Sequence, residues 1–475
     1  MPDRRQWLAM AGPVLGAMAW ALCHSAGLPQ AQGSMAMVAS WMAWWWLTES
    51  MSLYITALLP LALYPLLGIL PMAEVAPVYS NETIFLFTGG FLIAFALERH
   101  GLHHWFGSHV LRAMGTGASQ VLVGVMLSSY LISMWVSNIA TTMMLLPAVM
   151  AITAPFSTIG RRATAPFLLG LAYASSIGGT ATLVGTAPNV IFLGYYTEHY
   201  PHLPQISFTG WLMFALPASM LMLAGSYVAL RWTFRKEFAA IGTGNAAVPD
   251  TQPLTGVQMR VLALFALTVL LWVFRADIRI GSLEIPGWTG LMPHGAMVRD
   301  STVAMAVALL MFMVPQGQGR GALLQWDDAK RLPLGILFLF GGGFALATGL
   351  EKSGLSMQMV NAMSGIKGAS PLLVVVALCT FMTFFTELTS NTASTYLILP
   401  ILAGLSDTLH IAPAMLMMPV VISASFAFML PVGTPPNTVV YSTEAIDTRD
   451  MARAGFLINL LGIAVMAGMV WIFYC

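Results

Sequence analysis

Two short polar motifs stand in otherwise apolar surroundings, Ser137-Asn138-Ile139 and Ser390-Asn391-Thr392. Each is followed by further hydroxyls and then by Leu-Pro, at Leu146-Pro147 and Leu399-Pro400. Hydroxyls and amides both donate and accept, so they can hold an anion through hydrogens or a cation through oxygens. Ser133 and Thr386 each precede a motif serine by four residues, which sets a hydroxyl one helical turn below, on the same face. Two loops, Gly185-Thr-Ala-Pro-Asn189 and Gly433-Thr-Pro-Pro-Asn437, combine glycine with Pro188, Pro435 and Pro436, which remove N–H donors and disfavour continuous helix. Unwinding there frees carbonyl oxygens suited to a hard cation such as sodium.

These residues need an apolar frame, and the composition supplies one. Of 475 residues, 58% are hydrophobic and 8% charged, with mean hydropathy +0.78; soluble domains carry about 25% charged residues. The fold class is an all-α polytopic membrane protein. Apolar windows of roughly 18–25 residues recur along the chain, each able to cross a hydrocarbon core of about 30 Å. We expect crossings near 7–24, 34–50, 52–70, 84–98, 164–194, 208–230, 257–274, 301–316, 333–350, 412–442 and 455–474. The first is read as a membrane helix, since no small-residue cleavage site follows it. Two longer stretches, 121–152 and 370–405, carry the Ser-Asn motifs at their middles and read as re-entrant hairpins. Irregular backbone persists at membrane depth only where protein or water satisfies it, so the tips should face an internal cavity.

The polar motifs belong to a repeat. Phe87-Thr-Gly-Gly-Phe91, with Glu98-Arg99 after it, matches Phe340-Gly-Gly-Gly-Phe344 and Glu351-Lys352 at an offset of 253, the offset that also superposes the two Ser-Asn motifs. The Gly-Thr-x-Pro-Asn loops match at 248. Five crossings separate the repeat starts, which predicts inverted copies, the arrangement of secondary transporters with a site near the bilayer midplane. An isolated Ser-Asn pair would read as helix packing; a pair at equivalent tips reads as function.

Charge sets the orientation. With a cytoplasmic amino terminus, all 20 Lys and Arg residues fall on the inner side except Arg275, Arg279, Arg299, Lys352 and Lys367. The expected location is the cell's inner (plasma) membrane, with the carboxyl terminus outside. A net charge of +1 argues against nucleic acid. Cys23, Cys379 and Cys475 have no metal-ligand spacing and read as packing residues. His100, His103 and His104 sit on a short amphipathic arm and read as interfacial, leaving no histidine cluster for an enzyme.

No Lys or Arg lies within either hairpin or near 164–195 and 412–442, apart from the flanks. An anion there would be held by helix N-termini, hydroxyls and amides, with bound sodium supplying the positive charge. Glu387 is the one acid inside a hairpin and is read as hydrogen-bonded internally near a helix end, with a proton site as the alternative.

At these residues the sequence resembles the divalent-anion:sodium symporter family of dicarboxylate, citrate and sulfate carriers. The resemblance implies a homodimer whose transport domain moves as an elevator against a scaffold, with sodium ions as the coupling ions and no other cofactor. It implies one sodium near Ser133, Ser137, Asn138 and Gly185, and a second near Thr386, Ser390, Asn391 and Gly433. The substrate, a small divalent anion, would contact Ser137, Asn138, Ser390, Asn391, Thr392, Thr186, Pro188, Thr434 and Pro435. We expect scaffold helices in 1–83, repeat 1 in 84–240, connecting scaffold helices in 241–332 and repeat 2 in 333–475. Ile139 departs from the family's usual Thr, which removes one donor and leaves sulfate open beside dicarboxylates. A sodium-independent anion exchanger of the same fold is the alternative, and an ion channel a more distant one.

Overall fold

The computed structural model describes all residues except 1–3, 243–245, 247–250, 281–282, 318, 320, 333, 363–367, 369 and 475. Arg320, Lys367 and Cys475 therefore lie outside the described residues. The chain begins with α1 (Arg4–Ser25) and α2 (Gln30–Thr48), whose pairing is fixed by indole N–H donation from Trp44 and Trp45 to the carbonyls of Leu8 and Ala9 at 2.8 and 2.7 Å. The crossing expected at 52–70 is corrected to two pieces, α3 (Leu53–Thr56) and α4 (Leu59–Leu66). Pro60 has no N–H to return to the Thr56 carbonyl, and the Ala57 carbonyl accepts instead from the Tyr79 hydroxyl at 2.6 Å.

From there a series of elements occurs twice. The first set is α5 (Met72–Val78) leading into α6 (Glu82–Arg99), the arm α7 (Leu102–Met114), the hairpin α8 (Ala118–Ser133) and α9 (Asn138–Ser157), the broken helix α10 (Ala165–Ala181) and α11 (Ala187–His199), and α12 (Phe208–Thr233). Next come α13 (Arg235–Ile241), α14 (Gly256–Val273), an antiparallel ribbon of β1 (Ile278–Ile280) and β2 (Leu283–Ile285), α15 (Asp300–Met313) and α16 (Trp326–Ala329). The second set is α17 (Leu334–Lys352), the arm α18 (Leu355–Ala362), the hairpin α19 (Pro371–Phe385) and α20 (Asn391–Leu409), the broken helix α21 (Pro413–Ser423) and α22 (Pro435–Tyr441), and α23 (Thr448–Tyr474).

Among the described residues seven helices are long and apolar enough for a full span: α1, α5–α6 taken together, α9, α12, α14, α17 and α23. The remaining expected crossings are shorter, less apolar or interrupted; α15 has 14 residues, and α10–α11 and α21–α22 are each unwound in the middle. Length alone does not separate a hairpin arm such as α9 from a span. Large apolar side chains on the outside, among them Trp7, Leu22, Met220, Leu270 and Trp471, are the expected surface of a helix bundle in acyl chains. The chain is a multi-pass membrane protein.

Close approach is achieved by glycine. A Cβ on Gly89 would lie 2.7 Å from the backbone of Ala304, and one on its repeat partner Gly342 would lie 2.3 Å from the Ala57 carbonyl. Lipid gives apolar side chains no reason to leave it, so small residues and van der Waals contact do the work of assembly. Every residue of α10 is buried, packed against α8, α9, α12 and α22, while α11 packs against α20 and α21. Each half of the first broken helix thus touches the second repeat. Ion pairs between Arg99 and Asp328 and between Arg275 and Asp300 pin the loops at the two ends of the bundle.

Candidate functional site

At the first hairpin tip, α8 ends at Ser133 and α9 starts at Asn138, with Ser137 as the N-cap accepting from the Ala140 N–H at 3.3 Å. The Ser133 hydroxyl donates to Asn138 Oδ1 at 2.8 Å, and at the second tip the Thr386 hydroxyl donates to Asn391 Oδ1 at 2.6 Å. Both hydroxyls are fully buried. Each amide oxygen is thereby held in one orientation beside a hydroxyl oxygen that keeps lone pairs for a further ligand. Gly179 makes this possible at the first tip, since a Cβ there would meet Asn138 Oδ1 at 2.3 Å. Ser175 donates to the Asn138 carbonyl at 2.8 Å, a contribution with no sequence signal of its own.

The unwound loops carry a device that the motif contained but its reading missed. Asn189 Nδ2 donates to the carbonyls of Gly179 and Thr182 at 3.0 and 2.7 Å. Asn437 Nδ2 donates to the carbonyls of Ala427 and Leu430 at 2.9 and 3.0 Å. All three positions are related by the same offset of 248. The last letter of each Gly-Thr-x-Pro-Asn motif therefore clips its own loop open, and two of the carbonyls released by unwinding are used in the clip.

The repeats differ beneath the tips at Met134 and Glu387. In the first, the Thr182 hydroxyl donates to the Met134 carbonyl at 2.5 Å. In the second, the counterpart of Met134 is Glu387, which is 4% exposed. Its Oε1 accepts from the N–H groups of Phe428 and Met429 and from Asn459 Nδ2, each at 2.8 Å, and its Oε2 accepts from the Leu430 N–H at 3.0 Å. Glu387 thus accepts three hydrogen bonds from the loop and one from Asn459 on α23, an internal structural contact.

A cavity of about 670 Å³ separates the tips. It is lined by Ser137, Asn138, Ile139, Gly185, Thr186, Pro188, Ser390, Asn391, Thr392, Gly433, Thr434 and Pro435, so both motifs and both loops meet there. Of the expected ligands only Ser133 and Thr386 lie behind the wall, each touching it through its Asn. Three long helices, α9, α11 and α20, start at this wall, as does the short α22. Their free N–H groups and dipoles favour negative charge in the cavity. Among the described residues the one ionisable lining side chain is Glu49, at the end of α2, which sequence reading did not single out. The amide, hydroxyl and carbonyl oxygens at each tip make an all-oxygen donor set of the kind that suits a hard cation.

The sodium:sulfate symporter transmembrane region matches this sequence over residues 4–475. The chain belongs to that family. Among relatives of this sodium:sulfate symporter family member, the sodium-dependent dicarboxylate transporter SdcS of Staphylococcus saprophyticus is 34% identical over 97% of this chain and 89% of its own. SdcS of Staphylococcus aureus is also 34% identical, over 96% of this chain and 88% of its own. The crystal structure of the Alcanivorax borkumensis YdaH transporter shares the fold, with a TM-score of 0.63 and 13% identity over 86% of this chain and 87% of that one.

Proposed function

We propose that this protein carries a small dianion, a dicarboxylate in the first instance, across the membrane together with sodium ions. The observation that carries the reading is the cavity itself. It is walled by helix N-termini and by two Asn amides each locked to a buried hydroxyl, and among the described residues no basic side chain lines it. An anion bound there needs the cations, which gives coupling a physical cause. We assign one sodium to Ser133, Ser137, Asn138 and Gly185 and the other to Thr386, Ser390, Asn391 and Gly433, with the anion between the tips. The dicarboxylate choice draws on the activity in the name of the SdcS relatives, and the volume fits the range of about 300–1,000 Å³ typical of small-molecule sites.

The repeats α6–α12 and α17–α23 are read as inverted copies that exchange inward- and outward-open states by elevator movement within a homodimer. The cavity reaches Thr48 and Glu49 at the end of α2 and Ile336 at the start of α17. Those helix ends fall on the side that the Lys and Arg distribution assigns to the cytoplasm, so this state reads as inward-facing. The test is uptake of labelled succinate, citrate and sulfate into proteoliposomes with and without an inward sodium gradient. Sodium-dependent uptake abolished by Asn138→Ala and by Asn391→Ala, with the protein still folded, is expected. Counterflow undiminished in sodium-free vesicles would replace symport by anion exchange, and near-normal uptake by either variant would remove the tips from the site.

A further inference from the structure

A second cavity, of about 770 Å³, lies at one end of the bundle, far along the chain from the hairpin tips, where the segment before α10, the end of α12, the start of α13 and the start of α23 meet. Five basic side chains line it: Arg162, Arg235, Lys236, Arg449 and Arg453. Arg162 is committed, its Nη2 to Asp450 Oδ1 at 2.5 Å and its Nε to Glu237 Oε1 at 3.2 Å. Glu237 also lines the pocket, but among the described residues the other four basic side chains form no ion pair, so the pocket keeps a net positive charge. Nothing in the transport chemistry uses these residues.

The same cavity has an apolar side. Trp232 and Phe456 line it and are 62% and 43% exposed, and Leu457 lies beside them. Trp232 is in the last turn of α12 and Phe456 is in the third turn of α23, and these two helices pack on each other. Their seam is closed deeper in, where a Cβ on Gly225 would lie 2.1 Å from Leu461. Gly225 is seven residues before Trp232, about 10 Å along the helix at 1.5 Å per residue. The result is one cavity in which basic side chains adjoin exposed aromatic ones at the end of the α12–α23 seam.

We infer that this cavity binds the headgroup of an anionic phospholipid, with the phosphate between Arg235, Lys236, Arg449 and Arg453 and an acyl chain against Trp232 and Phe456. Charge complementarity selects an anion, and the exposed aromatics continuous with the basic cluster select a lipid over free phosphate. Basic pockets between membrane helices at the cytoplasmic face take such headgroups, and juxtamembrane arginines draw anionic lipid. This end of the bundle is the side to which the charge distribution assigns the cytoplasm.

The test uses the purified full-length protein in detergent, titrated separately with dioleoyl phosphatidylglycerol, dioleoyl phosphatidylcholine and inorganic phosphate. Bound ligand is read by native mass spectrometry and folding by circular dichroism. Retention of phosphatidylglycerol over phosphatidylcholine is expected, with no displacement by millimolar phosphate. Arg235→Gln combined with Arg449→Gln should weaken phosphatidylglycerol by roughly 25-fold, at about fivefold per basic residue near the surface. Lys330→Gln with Arg331→Gln removes the same charge elsewhere on that face and should leave binding unchanged. Trp232→Ala should weaken the lipid severalfold, which a site for free phosphate would not show. Equal binding of the two lipids, displacement by phosphate, full binding by the Arg235/Arg449 variant, or equal loss in the Lys330/Arg331 control would each overturn the assignment.

Discussion

Replacing Glu387 by Gln separates a residue that holds the second loop from one that carries a proton. The carboxylate accepts four hydrogen bonds, three from consecutive N–H groups at Phe428, Met429 and Leu430 and one from Asn459. Gln keeps an acceptor at Oε1 but turns an amide toward the Leu430 N–H, leaving a buried donor unpaired at a cost of about 1–3 kcal/mol. The three surviving bonds change from charge-assisted to neutral, a further loss of roughly 0.5–1 kcal/mol each. A neutral amide is cheaper to bury than a carboxylate, which offsets part of this and leaves a net destabilisation of about 2–4 kcal/mol. The loop so loosened leads to Gly433 and is clipped by Asn437 through the Leu430 carbonyl. Thermal unfolding in detergent should fall by several degrees, and half-saturation of uptake by sodium should move to higher concentration. Asn459→Ala, which removes one of the four donors, should give a smaller shift in the same direction. The reasoning fails if Glu387→Gln unfolds at the wild-type temperature while its uptake loses dependence on pH, since that pattern belongs to a proton carrier.

Ile139 lines the cavity with 42% of its surface exposed, opposite in the repeat to Thr392. Ile139→Thr restores a donor and should tighten succinate by roughly 0.5–1.5 kcal/mol, read as competition against the best native substrate; an unchanged ranking of substrates would place Ile139 outside the contact surface. His103 on the arm α7 is 8% exposed, and burial, followed by the neighbouring His104, holds its pKa down at about 4. The unfolded chain takes up that proton near pH 6.5 and the folded one only near 4, so the folded state loses stability as pH falls through this window. A His103→Leu variant should show a shallower decline of unfolding temperature between pH 6.5 and 4 than wild type, and parallel profiles would count against the burial argument.

Apolar length, hydroxyl spacing and the repeat could be read from the sequence because lipid enforces them on every residue. A chain with 8% charged residues has to satisfy its backbone internally, so polar Ser-Asn pairs at the middle of apolar stretches read as hairpin tips from the sequence alone. In the stretches expected at 121–152 and 370–405 the structure has helix pairs over 118–157 and 371–409, each broken at its Ser-Asn motif. The break within 52–70 was legible only in part: Pro60 is a letter of the sequence, whereas the Tyr79 hydroxyl and the Gly342 backbone reach Ala57 only when the helices pack. Likewise the motif Asn189 and Asn437 were visible as letters, but their task became clear only when the loops they clip were seen. Glu387 shows the division best. Its position inside a hairpin marked it as unusual, whereas its saturation by four donors is decided by the backbone of residues 428–430 and by Asn459, which the sequence places more than 40 positions away. Local periodicity and composition are properties of short segments and survive in one dimension; hydrogen-bond partners across the bundle are set only when the helices pack.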